Sequence, residues 1–128
     1  MKTILKLCAL AALVPGGFVM AQHEKGIDFT QQLTTLAGTP LPSSPEKGAS
    51  ALTLGDVCVN ALETPLEADR GVSGEAKFKL DSLARKIYGK KDVLLTVDES
   101  ALLKQRIGQA YGPLVVGQAW RMLDPAEK

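Results

Sequence analysis

The chain has 128 residues, of which 45% are hydrophobic, 23% charged and 5% aromatic, and its 15 Lys and Arg against 14 Asp and Glu give a net charge of +1. That length fits one domain with one modest core, and the scarcity of aromatics leaves the core to Leu, Val, Ile and Ala. The near-neutral balance excludes a global electrostatic signature of nucleic-acid or membrane binding.

Residues 1–21 begin with Lys2 and Lys6, run apolar over 7–14, break at Pro15, Gly16 and Gly17, and end in Val19-Met20-Ala21. This is the pattern of a secretory signal ending near Ala21. The apolar run is too short for a bilayer span, so no stable membrane insertion is expected after leader removal. A second mechanism accounts for the same residues. Gly16-Gly17 can be encoded GGAGGU, a ribosome-binding sequence two codons ahead of Met20. Translation from Met20 would give a cytoplasmic product in a bacterial host, and the part of the 1–21 leader before Met20 would then be untranslated upstream sequence. This reading is favoured because Cys58, the one cysteine beyond the leader, has no disulfide partner, as suits a reducing compartment. The signal-peptide reading makes the product periplasmic or secreted.

Over residues 27–41, IDFTQQLTTLAGTPL, Ile27, Phe29, Leu33, Leu36 and Leu41 lie among Thr-rich stretches with a turn at Gly38, which predicts a short N-terminal β-hairpin. Residues 42–50, PSSPEKGAS, read as an exposed linker. From residue 53 the pattern becomes helical. Thr53 is placed as an N-cap with Asp56 three residues on, and Leu54, Val57, Cys58, Ala61 and Leu62 mark one buried face, closed by Pro65. Ser73 caps a helix over 74–88 with Ala76, Leu80, Leu83, Ala84 and Ile87 inward and Gly89 as its stop.

Residues 92–97, DVLLTV, predict a short strand that pairs with the N-terminal hairpin. Thr96 with Glu99 is a capping-box pattern for a helix over 97–111, with Leu103, Ile107, Ala110 and Tyr111 inward. Gly112-Pro113 ends it and starts a last helix, whose apolar positions are Val115, Val116, Ala119, Trp120, Met122 and Leu123. The expected fold is α+β, mainly α: a four-helix body with the hairpin. Its organisation is a leader at 1–21, hairpin and linker at 22–52, and a helical body at 53–128 that forms one globular domain with the hairpin. The expected core is Leu54, Val57, Leu62, Leu80, Leu83, Ile87, Leu103, Ile107, Val115 and Trp120.

Catalytic chemistry is poorly supplied. His23 is the only histidine and lies in a polar stretch beside the leader, so a histidine-dependent triad or a multi-histidine zinc site is unavailable in one chain. No phosphate loop, dinucleotide-binding glycine pattern or metal-spaced cysteine cluster is present, and Asp98-Glu99 is explained by a helix start. The expectation is a protein that is not an enzyme and takes no cofactor or metal. Charge is concentrated over 75–91, where Lys77, Lys79, Arg85, Lys86, Lys90 and Lys91 outnumber Glu75 and Asp81. These six are the candidate partner-binding residues, with the loop over 65–74 as a second exposed surface. They could contact phosphates, although the wet face of an amphipathic helix with a basic C-terminal end has the same pattern. The helix, tight turn and helix of 97–123 offers only Gln118 and Arg121 for base edges, too few for a recognition helix.

The stretches IDFTQ, LTLGDVCVNAL, SGEAKFKLDSLARKIYG and IGQAYGPLVVGQAW resemble small uncharacterised proteins encoded by tailed phages and prophages. The resemblance spans 27–123, leaves out the leader, includes no catalytic signature and transfers no functional residue. It implies a noncatalytic accessory protein that binds a phage or host protein, inside the host or in virion assembly. The alternatives are a nucleic-acid-binding accessory protein using the basic face of 77–91, and a small exported bacterial protein.

Overall fold

The computed structural model describes residues 26–124; the leader, its cleavage site and the Met20 start lie outside the described residues. Four helices carry the fold: α1 (Leu54–Glu63), α2 (Gly74–Ile87), α3 (Val97–Ala110) and α4 (Pro113–Leu123), with a 3₁₀ turn at Glu67–Asp69 between α1 and α2. The protein is mainly helical, and among the described residues no helix is long and apolar enough to cross a membrane.

α1 is the hub, packed against α2, α3 and α4, and Leu54, Val57, Cys58 and Ala61 are wholly buried. A helix so enclosed cannot leave its terminal backbone groups to water, so other parts of the chain must satisfy them. At the N-terminus Thr53 Oγ1 accepts from the Asp56 N–H and the Asp56 carboxylate accepts from the Thr53 N–H, both at 3.1 Å. The next two donors reach into the segment before the helix: the Leu54 N–H donates to the Gln31 carbonyl at 2.8 Å and the Gly55 N–H to the Phe29 carbonyl at 2.7 Å. Gly55 permits this approach, because a Cβ there would stand 2.9 Å from the Phe29 carbonyl oxygen.

At the C-terminus of α1 the partner is Arg106 of α3, only 5% exposed. Its Nε donates to the Ala61 carbonyl at 2.9 Å, and its Nη2 to the Leu62 and Thr64 carbonyls at 3.3 Å. Its Nη1 donates to the Asp69 carboxylate, which supplies the opposite charge that a buried guanidinium requires.

Residues 26–53 form an arm across the N-terminal end of α1. Its bridges are isolated and antiparallel: Ile27 with Val93, Gln32 with Thr53, Thr34 with Pro40 and Pro42 with Ala51. Strand continuity is broken by a ring of backbone bonds in which the Leu33 N–H donates to Leu52, Leu52 to Leu41, and Leu41 back to Leu33, at 2.7–3.0 Å. Three backbones meeting around a point cannot extend as a ladder, but they turn three leucines onto the helices. Residues 42–50 are largely exposed and close on themselves through the Pro42–Ala51 bridge and the Ser43 N–H to the Ser50 carbonyl at 2.8 Å. Within 92–97, Val93 bridges to the arm at Ile27.

The arm is tied to α4 by Gln118. Its Oε1 accepts from the Thr34 N–H at 3.0 Å and its Nε2 donates to the Thr34 carbonyl at 2.5 Å, so one side-chain amide takes the place of a neighbouring strand.

Several core expectations need correction. Trp120 is 39% exposed, and Leu80 and Val115 are only half-buried. Trp120 lies on the outside of α3, its Nε1 donating to the Lys104 carbonyl at 3.1 Å and its ring 5.6 Å from the Lys104 ammonium; an indole N–H needs a polar partner, which the edge of the core provides. Ala110 is exposed where α3 ends, and Ala76 is half-buried at the start of α2. Arg106→Met, which keeps the aliphatic volume and orphans three carbonyls and the Asp69 carboxylate, is expected to lower folding stability by about 3 kcal/mol in urea denaturation.

Candidate functional site

The residues after α1 build a cleft. The cleft is about 470 Å³; Leu62, buried at the end of α1, and the half-buried Leu66 and Leu80 form its apolar part with Pro65, and the charged Glu63, Glu67, Asp69, Arg70 and Lys77 complete the lining. That volume lies within the range of small-ligand and side-chain pockets. The loop over 65–74 and the basic helix, two separate surfaces in the sequence, thus meet at one place through Lys77.

The cleft wall is held by Asp69. One carboxylate oxygen accepts from the Leu66 N–H at 2.8 Å and the other from Arg106, while the Asp69 N–H donates to the Leu66 carbonyl at 2.8 Å. Gly71, at φ +74°, supplies the left-handed turn that brings the chain to the Ser73 cap of α2. The Arg106 hydrogen bond, followed by that from Leu66, holds the Asp69 carboxyl below its ordinary value of 3.8. Arg70 and Glu67 pair at 3.2 Å on the exposed lip. Lys77 makes no salt bridge among the described residues, although its field helps to lower Asp69. The cleft therefore presents leucines beside an accessible cation, Lys77, with the Glu63 and Glu67 carboxylates also exposed on its rim.

The other five basic residues are not gathered into one patch. At about 100° per residue, Lys77 and Lys79 fall on opposite flanks of α2, with the exposed Phe78 between them. Lys79 and Lys86 border a groove toward the start of α3 with Asp98 and Glu99, and the Lys86 ammonium pairs with the Glu99 carboxylate at 2.7 Å. Arg85 pairs with Asp81 at 2.7 Å in a different groove, beside Glu63 and Tyr88. There the Glu63 and Asp81 carboxyls share a hydrogen bond, which raises the Glu63 pKa and lowers that of Asp81, with Arg85 reinforcing the latter. Lys90 and Lys91 are exposed in the turn after Gly89.

Two residues that organise this region escape the sequence reading, Arg106 and Leu66. A signal for Arg106 was present: it sits three residues after Leu103 and beside Ile107, on the apolar stripe of its own helix. Leu66 carries no periodic signal. Cys58 lies on the buried face of α1, its thiol pushed up to about 12 by burial, and among the described residues no three His, Cys, Asp or Glu side chains are grouped to hold a metal ion. No family model, curated protein or solved structure matches the chain.

Two solution measurements check this geometry. Cys58 in the folded protein is expected to resist a neutral thiol reagent and to react on addition of denaturant, because only the exposed thiol can form the thiolate. The Asp69 pKa is depressed on folding, so its stabilisation is complete above the ordinary carboxylate range and lost as pH falls through the lowered value. Urea midpoints measured below about pH 4 should therefore fall less steeply for Asp69→Asn than for the native sequence.

Proposed function

We propose that this chain is a noncatalytic accessory protein of phage or prophage origin that acts by binding a protein partner through the cleft between α1, the Glu67–Asp69 turn and α2. The observation that carries this reading is the leucine-lined cleft beside Lys77, with its wall held in place by the Arg106–Asp69 pair. An apolar side chain gains by leaving water in such a cleft, and a carboxylate next to it in the partner would meet the Lys77 ammonium at the rim. The partner surface is thus an apolar residue flanked by an acidic one.

The phage origin is supported by the four stretches that resemble phage and prophage proteins, and it accords with translation from Met20 in the host cytoplasm. In the same reading the arm is a rudimentary hairpin, folded on itself at Thr34–Pro40 and joined to the segment before α3 at Ile27–Val93. Nucleic acid is the weaker partner, because Arg85 and Lys86 already face carboxylates and the six basic residues point along different flanks. A phosphate backbone asks for a continuous track of cations.

Capture from infected or lysogenic cells, followed by titration of the captured protein against purified variants, tests the reading. Lys77→Glu should weaken that binding at least tenfold, about 1.4 kcal/mol, while Lys91→Glu should leave it within twofold. Equal effects of the two substitutions, or a strongly salt-dependent shift of DNA or RNA by the native chain, would reject it.

A further inference from the structure

Glu63, the last residue of α1, lines two depressions rather than one. On one side is the cleft at Lys77. On the other is a groove of about 370 Å³, whose apolar surface comes from Val59 of α1, Ala84 of α2 and the exposed ring of Tyr88 at the end of α2. The two run on as one furrow along the seam between α1 and α2, with Leu66 and Leu80 toward one end and Val59 and Tyr88 toward the other.

Charge is placed in order along this furrow. Lys77 stands at the leucine end. At the middle, the Glu63 carboxyl is hydrogen-bonded to that of Asp81, which accepts from Arg85 Nε at 2.7 Å. The crossing therefore holds two carboxyl groups against one guanidinium. From Leu80 to Tyr88, α2 and its cap advance eight residues, about 12 Å at 1.5 Å per residue, or roughly two turns of a helix.

We infer that the partner segment is an amphipathic α-helix lying along the α1–α2 seam, with one apolar side chain in the cleft, a second about seven positions away against Val59 and Tyr88, and a basic side chain between them over Glu63. The inference rests on the reading of the cleft as a protein-binding site and names what enters it. Charge complementarity supplies the basic residue, because the unmatched carboxyl at the crossing would repel an acidic one and leave a neutral polar one with less to gain. Together with the acidic residue that Lys77 asks for, it fixes which way the helix runs. The backbone argues for a helix. Both walls are helices whose N–H and C=O groups are bonded within themselves, so an extended segment would turn its own backbone groups toward a seam that offers them no ladder, whereas a helix arrives with those groups already paired. A helix also sets residues seven apart on one face, about 10 Å from each other, with the residue midway between them on that same face.

An mRNA-displayed library of helical peptides, randomised on one face and selected against the full chain, tests it. Recovered peptides whose binding is weakened about tenfold by Lys77→Glu should carry two apolar residues seven positions apart with Lys or Arg midway between them. For those peptides, Tyr88→Asp and Glu63→Lys should each raise the dissociation constant at least about fivefold, and alanine in place of the peptide's basic residue should abolish the effect of Glu63→Lys. Phe78→Ser, at an exposed position of α2 outside both depressions, should leave the constant within about twofold. Glu63, Phe78 and Tyr88 are all exposed, so each variant should keep the native circular dichroism and melting. Peptides that respond to Lys77→Glu but are indifferent to both Tyr88→Asp and Glu63→Lys would overturn the inference and leave the single-cleft reading standing. A library that yields no peptide responsive to Lys77→Glu would overturn both.

Discussion

Helix α1 is the packing centre of the fold, touching all three other helices, and much of the structure follows from satisfying its terminal backbone groups. A buried N–H or C=O without a partner costs about 1–3 kcal/mol, enough for a few of them to remove much of a small domain's stability. At one end, carbonyls of Phe29 and Gln31 approach so closely that position 55 must be glycine. At the other, Arg106 reaches from α3 to three carbonyls. The arm and α3, far apart in the chain, are therefore parts of one cap structure around a central helix. Folding of the arm, α1 and α3 is coupled for that reason.

The same solution shapes the candidate binding cleft. A guanidinium drawn under the surface to cap α1 needs an anion, and Asp69 supplies it. In doing so Asp69 holds the turn that forms the cleft wall, with Leu66 bonded back to it. A requirement of packing thereby becomes a stiff surface feature. Stiffness matters to recognition because a wall already in place loses little conformational freedom when a partner arrives.

Charge is divided unevenly over the surface. α2 carries ionic side chains along its length, and two of its cations, Arg85 and Lys86, pair with Asp81 in the helix and Glu99 at the start of α3. The arm tip and α4 are nearly free of charge, and their one notable polar link, Gln118 to Thr34, is turned inward to the backbone. The cleft sets leucines among charged side chains of both signs, whereas the groove between the arm tip and α4 holds one charge, the Arg121 guanidinium over Gly117.

Helix number and the limits of each helix were legible in the sequence because caps and stops act over three or four residues: Thr53 with Asp56, Ser73, Thr96 with Glu99, and Pro113 behave as local chemistry demands. The buried stripe of α1 was legible from its periodicity, and so were Leu83, Ile87, Leu103 and Ile107. Lys77 was visible as a cation, but its place beside the loop leucines was not, nor was the division of the other basic residues between two flanks. Trp120 was misplaced because hydrophobicity does not say which side of a helix another helix covers. Tertiary structure alone decided the burial of Arg106, the leucine ring of the arm and the Gln118 clasp. All three depend on contacts between residues separated by many positions, and such contacts are set by which backbone groups a buried helix leaves unsatisfied, a quantity that exists only once the chain has folded.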